Sequence, residues 1–122
     1  MEMAIKEGCD AAEQQFMAQN KGGIVKDKSG SCAIICIITD NKVYVANVGD
    51  SRAIIQKGQK IEAMSRDHKP SDKDEQKRIM AAGGSVYQNA NVVVTNSFGA
   101  KIEPPHRVVP GRLSVSRSFG DC

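Results

Sequence analysis

The sequence predicts an α+β fold in which an antiparallel β-sheet is flanked by helices, and three observations carry that reading. Residues 2–20 place apolar side chains at helical spacing, four apolar runs between residues 32 and 64 are separated by tight turn residues, and residues 72–82 form a second, capped helical pattern. The chain has 122 residues, 40% hydrophobic and 25% charged, a composition that supports one small folded domain and argues against disorder.

The first helix rests on Ile5, Cys9, Ala12 and Phe16, which fall on one face, while Lys6, Glu7, Asp10, Glu13 and Gln14 fill the others. A stripe this narrow suits packing against a sheet better than a coiled coil. Residues 20–29, with Gly22, Gly23 and several charges, read as a connector. Strands are expected from Cys32 to Thr39, Lys42 to Val48, Arg52 to Gln56 and Lys60 to Met64. Asp40-Asn41 and Lys57-Gly58 suit two-residue hairpin turns and Gly49-Asp50-Ser51 a middle reversal, so residues 30–65 read as an antiparallel meander. Its first strand is apolar on both faces, as expected of an interior strand covered above and below.

Pro70 bars further strand, and Ser71 with Asp74 suggests a capping box for a helix within residues 71–83. Asp72, Asp74 and Glu75 early and Lys77 and Arg78 late complement the helix dipole, and Gly83-Gly84 supplies the stop. Ser85 to Tyr87 begins a strand. Residues 88–111 hold Asn-rich turns, Val92-Val93-Val94, Pro104-Pro105 and Pro110-Gly111, which read as a long irregular loop or small flap. Arg112 to Ser116 is expected to be the final strand, so that residues 85–116 form flap and last strand of a single partial domain over 1–122.

Composition excludes several functions. The net charge is +3, spread without blocks, and there is no Trp, which is no nucleic-acid footprint. No run approaches the roughly 20 apolar residues of a membrane span, and the acids within residues 1–20 are unlike a leader, so no membrane role is expected and the setting reads as cytoplasmic or nuclear. Cys9, Cys32, Cys36 and Cys122 form no C-x-x-C pair, which argues against structural zinc. Cys32 and Cys36 would lie about 13 Å apart along one strand face, too far for a disulfide, and read as buried reduced thiols.

Gly49-Asp50-Ser51-Arg52-Ala53 comes near the nucleophile elbow of serine hydrolases. An elbow joins a strand to a helix, however, and here the turn joins two strands. The plainer reading has Asp50 and Ser51 hydrogen-bonding the turn backbone and Arg52 pairing with a nearby carboxylate. His68 and His106 share no spacing that would put two imidazoles on one face; His68, in Asp67-His68-Lys69-Pro70, reads as ordering the turn before the second helix. Asp72, Asp74 and Glu75 read as first-turn charges rather than a metal cluster. No catalytic or cofactor-binding side chain follows from these residues.

Taken together, Gly30-Ser31, Val45-Ala46-Asn47-Val48-Gly49-Asp50-Ser51-Arg52, Asp67-His68-Lys69-Pro70, Arg78-Ile79, Ala82-Gly83-Gly84-Ser85-Val86 and Leu113-Ser114-Val115-Ser116-Arg117-Ser118-Phe119-Gly120-Asp121 form an ordered series. That series resembles the successive signatures of the metal-dependent Ser/Thr protein phosphatases of the 2C type, over about residues 30–121. The leading helix fits the same pattern. The resemblance implies a β-sandwich flanked by helices, an αββα architecture, incomplete in this chain. It also implies two divalent ions, Mg2+ or Mn2+, held by aspartates and bridging a water that attacks the phosphate of phosphoserine or phosphothreonine. Carried over residue by residue, it assigns one acid: Asp121, in Ser118-Phe119-Gly120-Asp121, matches an additional metal position. Gly83-Gly84 onward corresponds to the flap beside the active site.

The sequence departs from that pattern at the core metal site. There is no upstream Arg-containing segment ending in Glu-Asp, no Asp-Gly-His-Gly, and no downstream Asp-Gly or Asp-Asn motif. The expectation is a protein phosphatase acting on phosphoproteins, whose isolated chain binds metal weakly or not at all and is inactive until the missing segments are supplied. The alternative is a non-catalytic, phosphatase-like interaction module. Either way, an uncovered sheet would permit self-association or a complementing chain.

Overall fold

The computed structural model describes residues 1–20, 27–89 and 93–121; most of the expected connector, part of the flap including Val92, and Cys122 lie outside the described residues. The chain forms two units, one of Met1–Asp67 with Arg117–Cys122 and one of His68–Ser116.

The first unit opens with helix α1 (Glu2–Asn20). Its half-buried face runs through Ile5, Cys9, Glu13, Phe16 and Asn20, with Ala12 exposed. Glu13 thus stands where an apolar residue was expected, for a reason given by the site below. Strand β1 (Gly30–Ser31) pairs antiparallel with β10 (Phe119–Gly120), Gly30 opposite Gly120. Strands β2 (Ala33–Ile38) and β3 (Val43–Val48) form a hairpin from Ala33↔Val48 to Ile38↔Val43, closed by Thr39 N–H donating to Lys42 O at 2.9 Å. Strands β4 (Ile54–Lys57) and β5 (Lys60–Ala63) form another, with Lys57 opposite Lys60, so the turn is Gly58-Gln59 rather than Lys57-Gly58.

The expected meander over residues 30–65 is therefore two separate hairpins: among the described residues no ladder joins β3 to β4. The cause lies in the main-chain bonds after the Gly49 turn. Ala53 N–H donates to Ser65 Oγ at 2.8 Å and Ala53 O accepts from Met64 N–H at 2.8 Å, which commits this segment to β5 before it can return along β3. The expectation that the first long strand is covered on both faces also fails within the described residues. Ile34, Ile35 and Ile38 are 41%, 38% and 76% exposed, and of this strand only Ala33 and Ile37 are half-buried. Cys36 is likewise exposed and Cys32 half-buried, not buried thiols; both are free.

In the second unit, helix α2 (Lys73–Ala81) begins one residue later than the capping-box reading implies. The cap is Asp72, whose Oδ1 accepts from Asp74 N–H at 2.9 Å and Glu75 N–H at 3.3 Å. A carboxylate at that position satisfies two orphan donors and adds a favourable charge at the helix N-terminus, which Ser71 would not. The helix stops as expected: Gly83 takes φ 81°, and Gly84 N–H returns to Ile79 O at 2.9 Å. Strand β6 (Ser85–Gln88) pairs antiparallel with β9 (His106–Val109), and β7 (Val94–Thr95) with β8 (Lys101–Ile102) forms a small hairpin between them in sequence. Its tip is shaped by Asn96 Oδ1, which accepts from Phe98 N–H at 3.0 Å and Ala100 N–H at 2.9 Å.

The strand expected at residues 112–116 is absent; the strand lies before the Pro110-Gly111 turn, at His106–Val109. After the turn Arg112, at φ 59°, donates its N–H to Val108 O at 2.8 Å while Val108 N–H donates to Leu113 O at 2.9 Å. The segment so closes on β9 itself and cannot extend a ladder.

Candidate functional site

Asp121 sits where α1, β1 and β10 meet in the first unit. Its N–H donates to Ser29 O at 2.9 Å, and the preceding Gly120 N–H donates to Glu13 Oε2 at 2.9 Å. Glu13 is thus on the inward face of its helix because it receives a backbone donor at the sheet edge. Asp121 takes φ 58°, a left-handed conformation that aspartate tolerates better than most residues. Its carboxyl group lies against the backbone of Gly30, in the space that a Cβ at residue 30 would fill. A cavity of about 270 Å3, lined by Ala12, Phe16, Ser29, Ser31 and Phe119, adjoins it. Just before β1, Asp27 Oδ1 accepts from Ser29 N–H at 2.8 Å, and this bond holds the Asp27 carboxyl below its ordinary value of 3.8.

A hard divalent ion takes about six or more oxygen donors. Among the described residues, no three His, Cys, Asp or Glu side chains come together to hold one. Glu13 accepts from Gly120 N–H and Asp27 from Ser29 N–H, and neither joins Asp121 in such a group. The residues described therefore do not by themselves form a metal cage.

The Gly49 turn is fixed by Asn47, whose Nδ2 donates to Gly49 O at 3.0 Å and Arg66 O at 2.9 Å. This replaces the expected bonding by Asp50 and Ser51; Asp50 Oδ1 instead lies 3.9 Å from Cys32 Sγ. Arg52 pairs with a carboxylate as expected: Nε and Nη2 bond Asp67 at 2.8 and 2.9 Å. These bonds first, and the charge of Asp67 second, raise the pKa of the guanidinium above its usual value. Because Arg52 is exposed, Arg52→Gln, which removes the charge, is expected to lower Tm slightly, less than either change argued in the Discussion, with the difference shrinking in high salt. Equal losses at low and high salt would show that the pair acts by geometry alone.

In the second unit Glu75, read as a first-turn charge, is a buried tie. Its Oε2 bonds Arg78 Nη2 at 2.9 Å and accepts from Ser116 Oγ at 2.6 Å, while Arg78 Nη2 also donates to Ser116 O at 2.6 Å. Helical i,i+3 spacing of Glu75 and Arg78 carried that pairing in the sequence; nothing local pointed to Ser116. His68 contributes its carbonyl, which accepts from Ser116 N–H at 2.9 Å, and His106 stands opposite Gln88 in the β6–β9 ladder.

Antiparallel strand pairs and two helices define an α+β protein. Residues 1–122 match the family model described as Protein phosphatase 2C, and the chain belongs to that family. It is 34% identical over its whole length to a probable protein phosphatase 2C 2 of Arabidopsis thaliana, covering 27% of that protein. Over 92 residues, 75% of the chain, it is 45% identical to probable protein phosphatase 2C 55 of Oryza sativa subsp. japonica, covering 20% of it. Over 99% of the chain it is 34% identical to protein phosphatase 2C homolog 2 of Aspergillus fumigatus, covering 24% of it. The chain thus spans about a quarter of the length of these relatives. No helix among the described residues is long and apolar enough to cross a membrane.

Proposed function

We propose that this chain serves the metal-dependent hydrolysis of phosphoserine and phosphothreonine in phosphoprotein substrates, with Mg2+ or Mn2+ as cofactor. The family match across residues 1–122 carries this reading. Asp121 is the residue assigned to a metal, at a peripheral position, supported by the way Ser29, Gly120 and Gly30 fix its backbone and make room for its carboxyl group. The core ligands are assigned to segments other than those described, and no metal-borne step is derived from the residues here.

The test is manganese-dependent turnover of p-nitrophenyl phosphate by the chain alone and by the chain extended at both ends. The extended protein is expected to be active and the chain alone inert; inactivity of both would refute the catalytic reading. In the extended protein Gly30→Ala, which pushes the Asp121 carboxyl out of its place, is expected to raise the manganese concentration needed for half-maximal rate several-fold. An unchanged metal requirement would remove Asp121 from the ligand set.

A second reading, a non-catalytic module that docks a complementing chain or a second copy of itself, draws on the exposed Ile34, Ile35 and Ile38 of β2. Light scattering after size exclusion tests it: a monomer over the whole concentration range would count against it.

A further inference from the structure

Strand β6 has β9 as its ladder partner on one edge, and register combined with hydrogen bonding shows which of its groups face the other way. Val108, opposite Val86, donates its N–H to Leu113 O at 2.9 Å and accepts at its carbonyl from Arg112 N–H at 2.8 Å. Both main-chain groups of Val108 therefore point away from β6, which makes Val86–Val108 a non-hydrogen-bonded pair. Such pairs alternate with hydrogen-bonded ones. Ser85–Val109 and Tyr87–Arg107 hence exchange the ladder bonds, and Val86 and Gln88 turn their N–H and C=O groups outward, away from β9.

A groove of about 510 Å3 runs beside this strand, bounded by Gln76 and Met80 of α2, by Val86, Tyr87 and Gln88, and by His106. It has no carboxylate in its lining. Met80 is 68% exposed there, an apolar side chain with little cover. By helical periodicity Lys73 and Lys77 lie on the same side of α2 as Gln76 and Met80, whereas Asp74 falls on a different face. Glu75 is turned to Arg78 and Ser116. The strand edge therefore borders a wall that is apolar at Met80 and basic at Lys73 and Lys77.

We propose that this edge binds an extended acidic peptide as an added strand. Main-chain bonds form at Val86 and Gln88, an apolar side chain of the peptide rests on Met80, and its carboxylates face Lys73 and Lys77. Identifying that peptide as a stretch of phosphoprotein substrate outside the phosphorylated residue rests on the phosphatase reading; the docking does not.

The test uses the 122-residue chain and two fluorescein-labelled peptides of about eight residues, one alternating Glu and Val, the other Lys and Val. Fluorescence polarisation is expected to show the Glu–Val peptide binding at least about tenfold tighter, and the double change Lys73→Glu, Lys77→Glu to abolish or invert that preference. Hydrogen exchange on the complex is expected to slow at the Val86 and Gln88 amides and to stay unchanged at Ser85 and Tyr87, which are already bonded to β9. Equal affinity for the two peptides overturns the proposal, as does protection confined to residues 33–38. If the peptide docks but the extended protein is inert, the phosphatase assignment falls and the docking site stands; turnover without docking gives the reverse.

Discussion

Gly49→Ala is expected to destabilise the chain by about 4 kcal/mol, a large share of the roughly 5–15 kcal/mol that holds a folded domain together. Gly49 is buried and takes φ 107°, a conformation that L side chains rarely adopt, so alanine there is strained wherever its methyl points. The methyl also has no room: it would collide with Cys32 Sγ and lie 2.6 Å from Cys32 Cβ, an atom fixed to the backbone that no rotamer change moves aside. A double-mutant cycle separates the two costs. Cys32→Gly removes the atoms in the way but leaves the dihedral strain, so the pair of changes is expected to recover all but about 1–2 kcal/mol of the loss caused by the glycine substitution. Urea denaturation gives the four free energies. A loss below about 1 kcal/mol for Gly49→Ala would mean that the turn relaxes to another conformation, and that its geometry does not depend on glycine.

Gly49 also shows why local pattern located elements better than it located their pairing. Turn residues and apolar runs are written into a few neighbouring positions, so both helices and the two hairpins were readable, as was the helix stop at Gly83. Whether β4 continues beside β3 depends on where Ala53 sends its N–H and carbonyl, and those go to Ser65 and Met64, about a dozen residues away. No periodicity encodes that choice. The misplaced last strand has the same origin. Leu113 to Ser116 alternates like a strand, but Gly111 and Arg112 both take positive φ, and Arg112 bonds back to Val108 before any ladder can start.

The candidate site was legible in one residue and silent in the rest. Asp121 was assigned through the resemblance, and the space it occupies is explained by Gly30, a residue quoted in the same series. Glu13 was read as part of a solvated face because its charge outweighed its position. Yet residues 5, 9, 13, 16 and 20 are spaced as strictly as the apolar stripe, and it is this set that turns inward. A polar residue at a face-defining position can be inward when a backbone donor waits for it, and that donor, Gly120 N–H, is 107 residues away. The same blindness applied to Glu75, whose second partner, Ser116, is 41 residues distant.

Glu75→Ala is expected to cost about 3 kcal/mol, second only to the glycine change. The side chain is buried, with the residue 6% exposed, and it accepts from both Arg78 and Ser116 Oγ. Deleting it strands a hydroxyl and half of a guanidinium and leaves a void between α2 and the chain at Ser116. The figure sits at the low end for a broken buried pair because the Arg78 side chain is 42% exposed and regains water, and because its bond to Ser116 O survives. Glu75→Gln keeps the shape and one acceptor oxygen, so its loss should be about half as large. The ordering Ala worse than Gln, measured by denaturation, separates this tie from a mere helix-dipole charge. A dipole role would make the two substitutions equal and the loss sensitive to salt. Exchange at the Ser116 amide, which donates to His68 O, gives a local check: it should quicken in Glu75→Ala more than at Ser85 or Tyr87, whose amides are bonded to β9. If all three quicken together, Glu75 stabilises the second unit as a whole rather than anchoring residue 116.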